Sequence, residues 1–219
     1  MILAIMTSLV SQPVKFKWPL KNDTRKVFHP MIAQILRVFQ AILAIRSISR
    51  MRKYLSHDNL KCIVNAFVIS RLDYCNSILY GLSKLGHDKL QRIQNIAARL
   101  ITGTRRKEHI TLALKDLHWL PVKSRIVFKI LLLTYKTLNG LSPTYVTALF
   151  NAYKPARSLR SSGQLILQVP DVKTCTYGQR SFSFYATKLW NDPPFYIKHS
   201  ETIAIFKKNL KTFLFCNSL

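Results

Sequence analysis

The chain has 219 residues, with 34 Lys plus Arg against 9 Asp plus Glu, a formal charge of +25. So large an excess points to a polyanionic partner, because phosphates would relieve the self-repulsion of the compact state. With 48% hydrophobic and only 20% charged residues, and with aromatics along the whole length, a disordered basic tail is excluded and a buried core is expected, as one domain or two small subdomains.

Residues 1–10 are apolar but lack the cationic flank and small-residue cleavage site of a secretory signal, so the chain reads as not secreted. Pro13 and Pro19 stand among Lys15, Lys17, Lys21, Arg25 and Lys26 without periodicity, which predicts an irregular segment over residues 1–29 and an organised chain from near Pro30. Ile32, Ile35, Leu36, Phe39, Ile42 and Leu43 then recur at three- and four-residue steps, followed by Arg46, Arg50, Arg52 and Lys53: an amphipathic helix with a basic end. Gln34, Arg37, Gln40 and Arg46 interrupt the apolar run, so it does not read as a membrane span. Ser56 is placed to cap a second helix, with Asp58 in its first turn, a stripe running from Leu60 through Val64, Val68, Leu72, Cys75 and Ile78 to Leu79, and Gly81 as the stop. A third helix is expected from about His87 to Thr102, with Leu90, Ile93, Ala97, Leu100 and Ile101 on one face and Gly103 ending it.

Beyond the basic run Arg105, Arg106, Lys107, a short helical turn passes through Leu112, Leu114 and Leu117. Pro121 opens a long helix that reaches Leu138 and stops at Asn139-Gly140, and Ser142-Pro143 repeats the cap-then-proline pattern for a short helix ending near Phe150. Residues 151–177 hold Pro155, Arg157, Arg160, Gly163 and the extended-looking run Leu165 to Val169, read as a basic loop with one or two short strands and a subdomain hinge. Phe182, Tyr185, Leu189 and Trp190 suggest a further helix stopped by Pro193-Pro194. Ser200 and Glu201 are placed to cap a last one, with Phe206, Leu210 and Phe213 opposite Lys207, Lys208 and Lys211, a helix that could equally lie on an anionic membrane surface. The fold class is therefore mainly α: a helical, bundle-like region over residues 30–150, then a C-terminal subdomain over residues 151–219 made of a basic loop with one or two short strands and two helices.

Two-metal polymerase and nuclease chemistry needs closely placed carboxylates to clamp the attacking and leaving oxygens, and no two of the nine acids are adjacent. The six glycines are dispersed at helix ends and turns, so no glycine-rich phosphate loop is visible. His109, Asp116 and His118 form the one histidine–acid grouping close in sequence, open to metal ligation or acid–base work, although capping and junction packing weigh more. Cys62, Cys75, Cys175 and Cys216 match neither a zinc knuckle nor a disulfide-dense scaffold and read as reduced, partly buried thiols. No catalytic, cofactor-binding or metal-binding residue is assigned on these grounds. What remains is binding. Arg50, Arg52 and Lys53, then Arg105, Arg106 and Lys107, then Arg157 and Arg160, are the nucleic-acid-binding candidates, since loops and helix ends present such groups to a phosphate backbone; solvated surface charge is the competing reading. Tyr153, Tyr177 and Tyr185 lie near basic residues and could stack on unpaired bases, but core filling weighs more; Trp119 and Trp190, beside prolines, read as pins between helices.

The run Ser70-Arg71-Leu72-Asp73-Tyr74-Cys75-Asn76-Ser77-Ile78-Leu79-Tyr80-Gly81-Leu82 resembles the downstream part of reverse transcriptases from non-LTR, LINE-type retrotransposons of the jockey and chicken-repeat group. Leu90 to Arg99, His118-Trp119-Leu120-Pro121-Val122 on to Leu138-Asn139-Gly140, Arg157 to Ser162, and Leu189-Trp190-Asn191 agree in order and spacing. In that family the palm, with its paired catalytic aspartates, lies upstream of these blocks. The resemblance thus implies a truncated, thumb-like post-palm segment of an RNA-directed DNA polymerase that helps to hold template RNA and primer DNA and does no polymerisation alone. Its implied partners are RNA and DNA, with an upstream palm supplied in trans as a further one, and its implied place is nuclear or cytoplasmic. Asp192-Pro193-Pro194 is more proline-rich than the family's usual turn there, and no endonuclease motif is present. The alternative expectation is a structural or interaction remnant without independent activity, its apolar helix faces left by the missing palm.

Overall fold

The computed structural model describes residues 25–153, 165–174 and 178–218, with side chains from residue 36 onward. The chain divides into two units, Met1–Ala33 and Gln34–Leu219, and every described side chain belongs to the second. The fold is mainly α: ten α-helices are found among the described residues.

Helix α1 spans Arg25–Met51, beginning upstream of Pro30 rather than at it, since a proline's missing N–H forfeits one intrahelical bond without by itself ending a helix. Its buried face is Ala41, Ala44, Ile45 and Ile48, whereas Leu36, Phe39 and Leu43 of the expected stripe are exposed. The two alanines explain the rotation, because small side chains let a neighbouring helix come close. Arg52–Tyr54 adds a short 3-10 turn. Helix α2, His57–Val64, is capped as expected, Ser56 Oγ accepting from the Asn59 N–H at 3.4 Å. It runs into a π-helical segment, Asn65–Ile69, and then α3, Ser70–Asp73, where the Ser70 hydroxyl donates to the Ala66 carbonyl.

The expected single helix to Gly81 does not persist. Tyr74 is extended and Cys75 adopts a left-handed conformation (φ 49°), after which Asn76–Gly81 form a separate 3-10 helix. The break keeps Leu72 and Leu79 in the core while Cys75 and Ile78 face solvent. It is held from outside the segment: Arg71 donates to the Gln40 carbonyl at 3.0 Å, and the Arg37 guanidinium lies 3.6 Å from the centre of the Tyr74 ring. Cys62, Cys75 and Cys216 are free and exposed, not partly buried, because they fall on outward faces or at this kink; Cys175 lies outside the described residues.

Helix α4, Lys84–Thr102, starts one turn earlier than expected because Ser83 Oγ caps it, accepting from the Gly86 N–H at 3.3 Å. It ends at Gly103 (φ 76°), where glycine meets no Cβ penalty. Helix α5, Ile110–Asp116, leads to α6, Val122–Leu138, which Pro121 precedes and Asn139-Gly140 terminates, Gly140 with φ 69°. Ser142 does not cap the short α7, Thr144–Thr147; its hydroxyl accepts from Thr137 instead. The extended run near Leu165 contributes a single antiparallel bridge, Ala152 to Leu167, in place of a strand. Helix α8, Phe182–Asn191, is followed by an unexpected short α9, Phe195–Lys198, and by α10, Ile203–Ser218. Thr202 caps α10, accepting from the Ile205 N–H at 3.3 Å, while Ser200 donates to the Ile197 carbonyl at 2.8 Å.

Helix α6 serves two cores. Ile126 and Ile130 face one shared with α1 to α4, and Leu131, Leu132 and Tyr135 face another with Trp190, Phe206 and Leu210. In the second, Phe206 stacks on Tyr135 at 4.1 Å, and the Trp190 indole, buried as expected, donates to the Leu165 carbonyl at 2.9 Å. No helix among the described residues is long and apolar enough to cross a membrane.

Candidate nucleic-acid interface

The first basic cluster reaches the helix end that precedes the second. Arg50 closes α1 and Arg52 and Lys53 form the turn after it, while Arg105, Arg106 and Lys107 follow the end of α4. The contact between them is Arg52 on Gly103: a Cβ built at Gly103 falls 2.9 Å from Arg52 Nη2. A glycine at the helix end thus does two things, supplying the left-handed turn and leaving room for a guanidinium. All six cations are exposed, and none forms an ion pair with a carboxylate among the described residues. Glu108, the nearest acid in sequence, spends one carboxylate oxygen on the Arg105 backbone N–H at 3.0 Å, and its carbonyl accepts from Arg99 Nη2 at 3.2 Å. Arg99 Nε is buried without a partner, an unspent donor beside this surface. Part of the clustering has a local cause, since cations at the C-terminal ends of α1 and α4 complement the helix dipoles, but that effect fades within the last turn and does not reach Arg106 and Lys107.

Arg157 and Arg160 lie outside the described residues, as does Tyr177. Among the proposed stacking aromatics, Tyr185 is buried: its hydroxyl donates to the Ser77 carbonyl at 3.3 Å, and burial pushes its phenol up to about 12. Tyr153 is half exposed, and Trp119 is buried. The exposed ring beside the first cluster is Tyr54, 77% exposed, with Lys53 Nζ 4.8 Å from its centre. The sequence signal for it was an aromatic placed directly after a basic run, Arg52-Lys53-Tyr54, a position that a helical stripe does not use.

His109, Asp116 and His118 do not come together. No group of three His, Cys, Asp or Glu able to hold a metal occurs among the described residues, and His118, in a left-handed conformation (φ 51°), faces Phe215 at 6.5 Å between ring centres.

The blocks that carry the resemblance act as ties between helices. Arg125 Nη1 donates to Asp73 Oδ2 at 2.7 Å, and its Nε donates to the Leu120 carbonyl at 2.9 Å. That carbonyl also accepts from the buried Gln94 amide at 2.8 Å, while Gln91 Oε1 accepts from the Val122 N–H at 2.8 Å. Near the C-terminus, the Asn191 amide both donates to and accepts from the Leu167 backbone, at 2.9 and 3.0 Å. Burial raises the Asp73 carboxyl above its ordinary value, and the Arg125 guanidinium pulls the other way. These polar residues are spent on holding α3, α4 and α6 in register.

Comparison of the chain with protein-family profiles, with curated proteins and with solved structures finds no match in any of the three.

Proposed function

We propose that this chain is a thumb-like, post-palm portion of a non-LTR-type reverse transcriptase that holds RNA and DNA through their phosphates and carries no polymerisation chemistry of its own. The observation that supports the binding part is the approach of Arg52 to Gly103, two residues before Arg105, with Arg50, Arg52, Lys53, Arg105, Arg106 and Lys107 all exposed and free of carboxylate partners among the described residues. Such a surface positions a backbone and reads little sequence, so binding is salt-sensitive and weakly selective. Tyr54 adds a stacking face for an unpaired base. The sequence blocks support the family part of the reading.

The test is binding of the folded chain to labelled RNA and to an RNA–DNA hybrid across a salt series, with circular dichroism as the check of folding. Six phosphate contacts on a helical hybrid correspond to a slope of about −5 in log affinity against log salt. A helical chain that ignores both ligands at low salt refutes the proposal. That outcome favours a second reading, an interaction remnant that an upstream palm in trans would cover, which the exposed row Leu36, Phe39 and Leu43 on α1 supports.

A further inference from the structure

A second set of cations, none of them among the nucleic-acid-binding candidates, shares a cleft. Lys61 on α2, Lys129 on α6, and Lys207 and Lys211 on α10 line a cleft of about 630 Å³. That volume falls in the range of small-molecule sites, about 300–1,000 Å³. The one acid in its wall, Asp73, is paired with Arg125 at 2.7 Å and also feels the charge of Lys129, and none of the four lysines lies within ion-pair distance of a carboxylate among the described residues. Lys207 and Lys211 stand four residues apart on one helix, where like charges repel. A multiply charged anion in the cleft removes this cost. The floor is of another character: Ile69, Trp119, Leu120 and Leu132 are buried there, with Phe128 half-buried beside them.

We propose that this cleft binds a compact organic polyphosphate, one whose phosphates are spread around a ring-sized body. The argument is the distribution of charge. Lysines reach the lining from three helices, α2, α6 and α10, so their charge is not confined to one element. Lysine in place of arginine suits this, since an ammonium is a point charge that needs no planar, bidentate partner. The apolar floor receives the ring. None of these residues belongs to the surface formed by α1 and α4, so the cleft stands independently of the nucleic-acid proposal.

The probes are inositol hexakisphosphate, unphosphorylated inositol and inorganic triphosphate, titrated into the full chain by calorimetry at about 150 mM salt. The expected result is binding of the hexakisphosphate, none of inositol, and binding of triphosphate weaker by about tenfold or more. Lys129→Glu with Lys211→Glu should weaken the hexakisphosphate by at least about tenfold, whereas Lys84→Glu with Lys89→Glu, the same change in net charge at exposed positions outside the cleft, should leave it within about threefold. Should the reversal variant lose its helical signal, Lys61→Gln with Lys207→Gln carries the same comparison, with the same direction expected. Equal losses from the cleft and surface variants would mean general attraction to a cationic chain and would overturn the proposal. So would equal affinity for the linear triphosphate, or no hexakisphosphate binding at ~1 mM.

Discussion

Gly103→Ala separates the two roles of that glycine when it is set beside Gly140→Ala. Both glycines end long helices in left-handed conformations, at φ 76° and 69°. An alanine there brings its Cβ against the carbonyl oxygen, at about 1–2 kcal/mol, partly offset by the lower entropy of the unfolded chain, for a net loss near ~1 kcal/mol. In a chain of this size that is about 2–4 °C in Tm. The surroundings differ. At Gly140 nothing lies within 4 Å of the new Cβ, whereas at Gly103 it meets Arg52 Nη2 at 2.9 Å. A guanidinium at the end of a flexible side chain moves aside cheaply, so the extra cost at Gly103 falls on placement of Arg52 and hardly on stability. Urea denaturation should therefore show similar losses for the two variants. Binding to an RNA–DNA hybrid should weaken a few-fold for Gly103→Ala and stay unchanged for Gly140→Ala. A Gly103→Ala protein as stable as the parent would refute the backbone argument, and equal binding by both variants would refute the placement of Arg52 in the interface.

Phe206→Ala removes the ring stacked on Tyr135 and beside Trp190 in the second core; a loss of about 3–5 kcal/mol is expected in urea, and a loss under ~1 kcal/mol would mean that this core does not hold α10 in place. Asn191→Ala leaves the Leu167 N–H and carbonyl without their side-chain partners, so amide exchange at Leu167 should speed up while exchange within α4 stays the same; unchanged exchange at Leu167 would count against the tie. Asp73 has a raised carboxyl pKa, chiefly through burial, so its contribution to stability is fully present below its ordinary pKa and is lost as pH rises through the raised one. The stability of the parent relative to Asp73→Asn should therefore fall as pH rises from about pH 4, and a rise instead would mean that the Arg125 pair outweighs desolvation.

The helix ends written in glycine, Gly103 and Gly140, were legible because a left-handed turn is a local demand that one residue type meets at no steric cost. Ser56 was legible as a cap for the same reason, but Thr202 was not, since Ser200, Glu201 and Thr202 all offer side-chain oxygens and tertiary contacts choose among them. The break at Tyr74 had no local signal. Its stripe continues at helical spacing to Leu79, and Arg37, Gln40 and Arg125, all distant in sequence, fix the kink. Hydrophobicity also points to the wrong face of α1, because Leu36, Phe39 and Leu43 are large and apolar yet exposed, while the small Ala41 and Ala44 are buried. At the interface, each charge run was visible in the sequence. That Arg52 lies against Gly103 was not, and neither was the gathering of Lys61, Lys129, Lys207 and Lys211 from three helices around one cleft. Periodicity places a residue on a face of its own helix and says nothing of which faces meet.

The salt slope of RNA–DNA hybrid binding, measured for the parent chain and for Arg52→Gln with Arg106→Gln, tests the nucleic-acid proposal most directly. Each phosphate contact contributes about 0.9 to the slope, so removing two should make it shallower by about two while the helical signal stays unchanged. A slope that does not change on removing both charges would contradict the account and place the grip elsewhere on the chain.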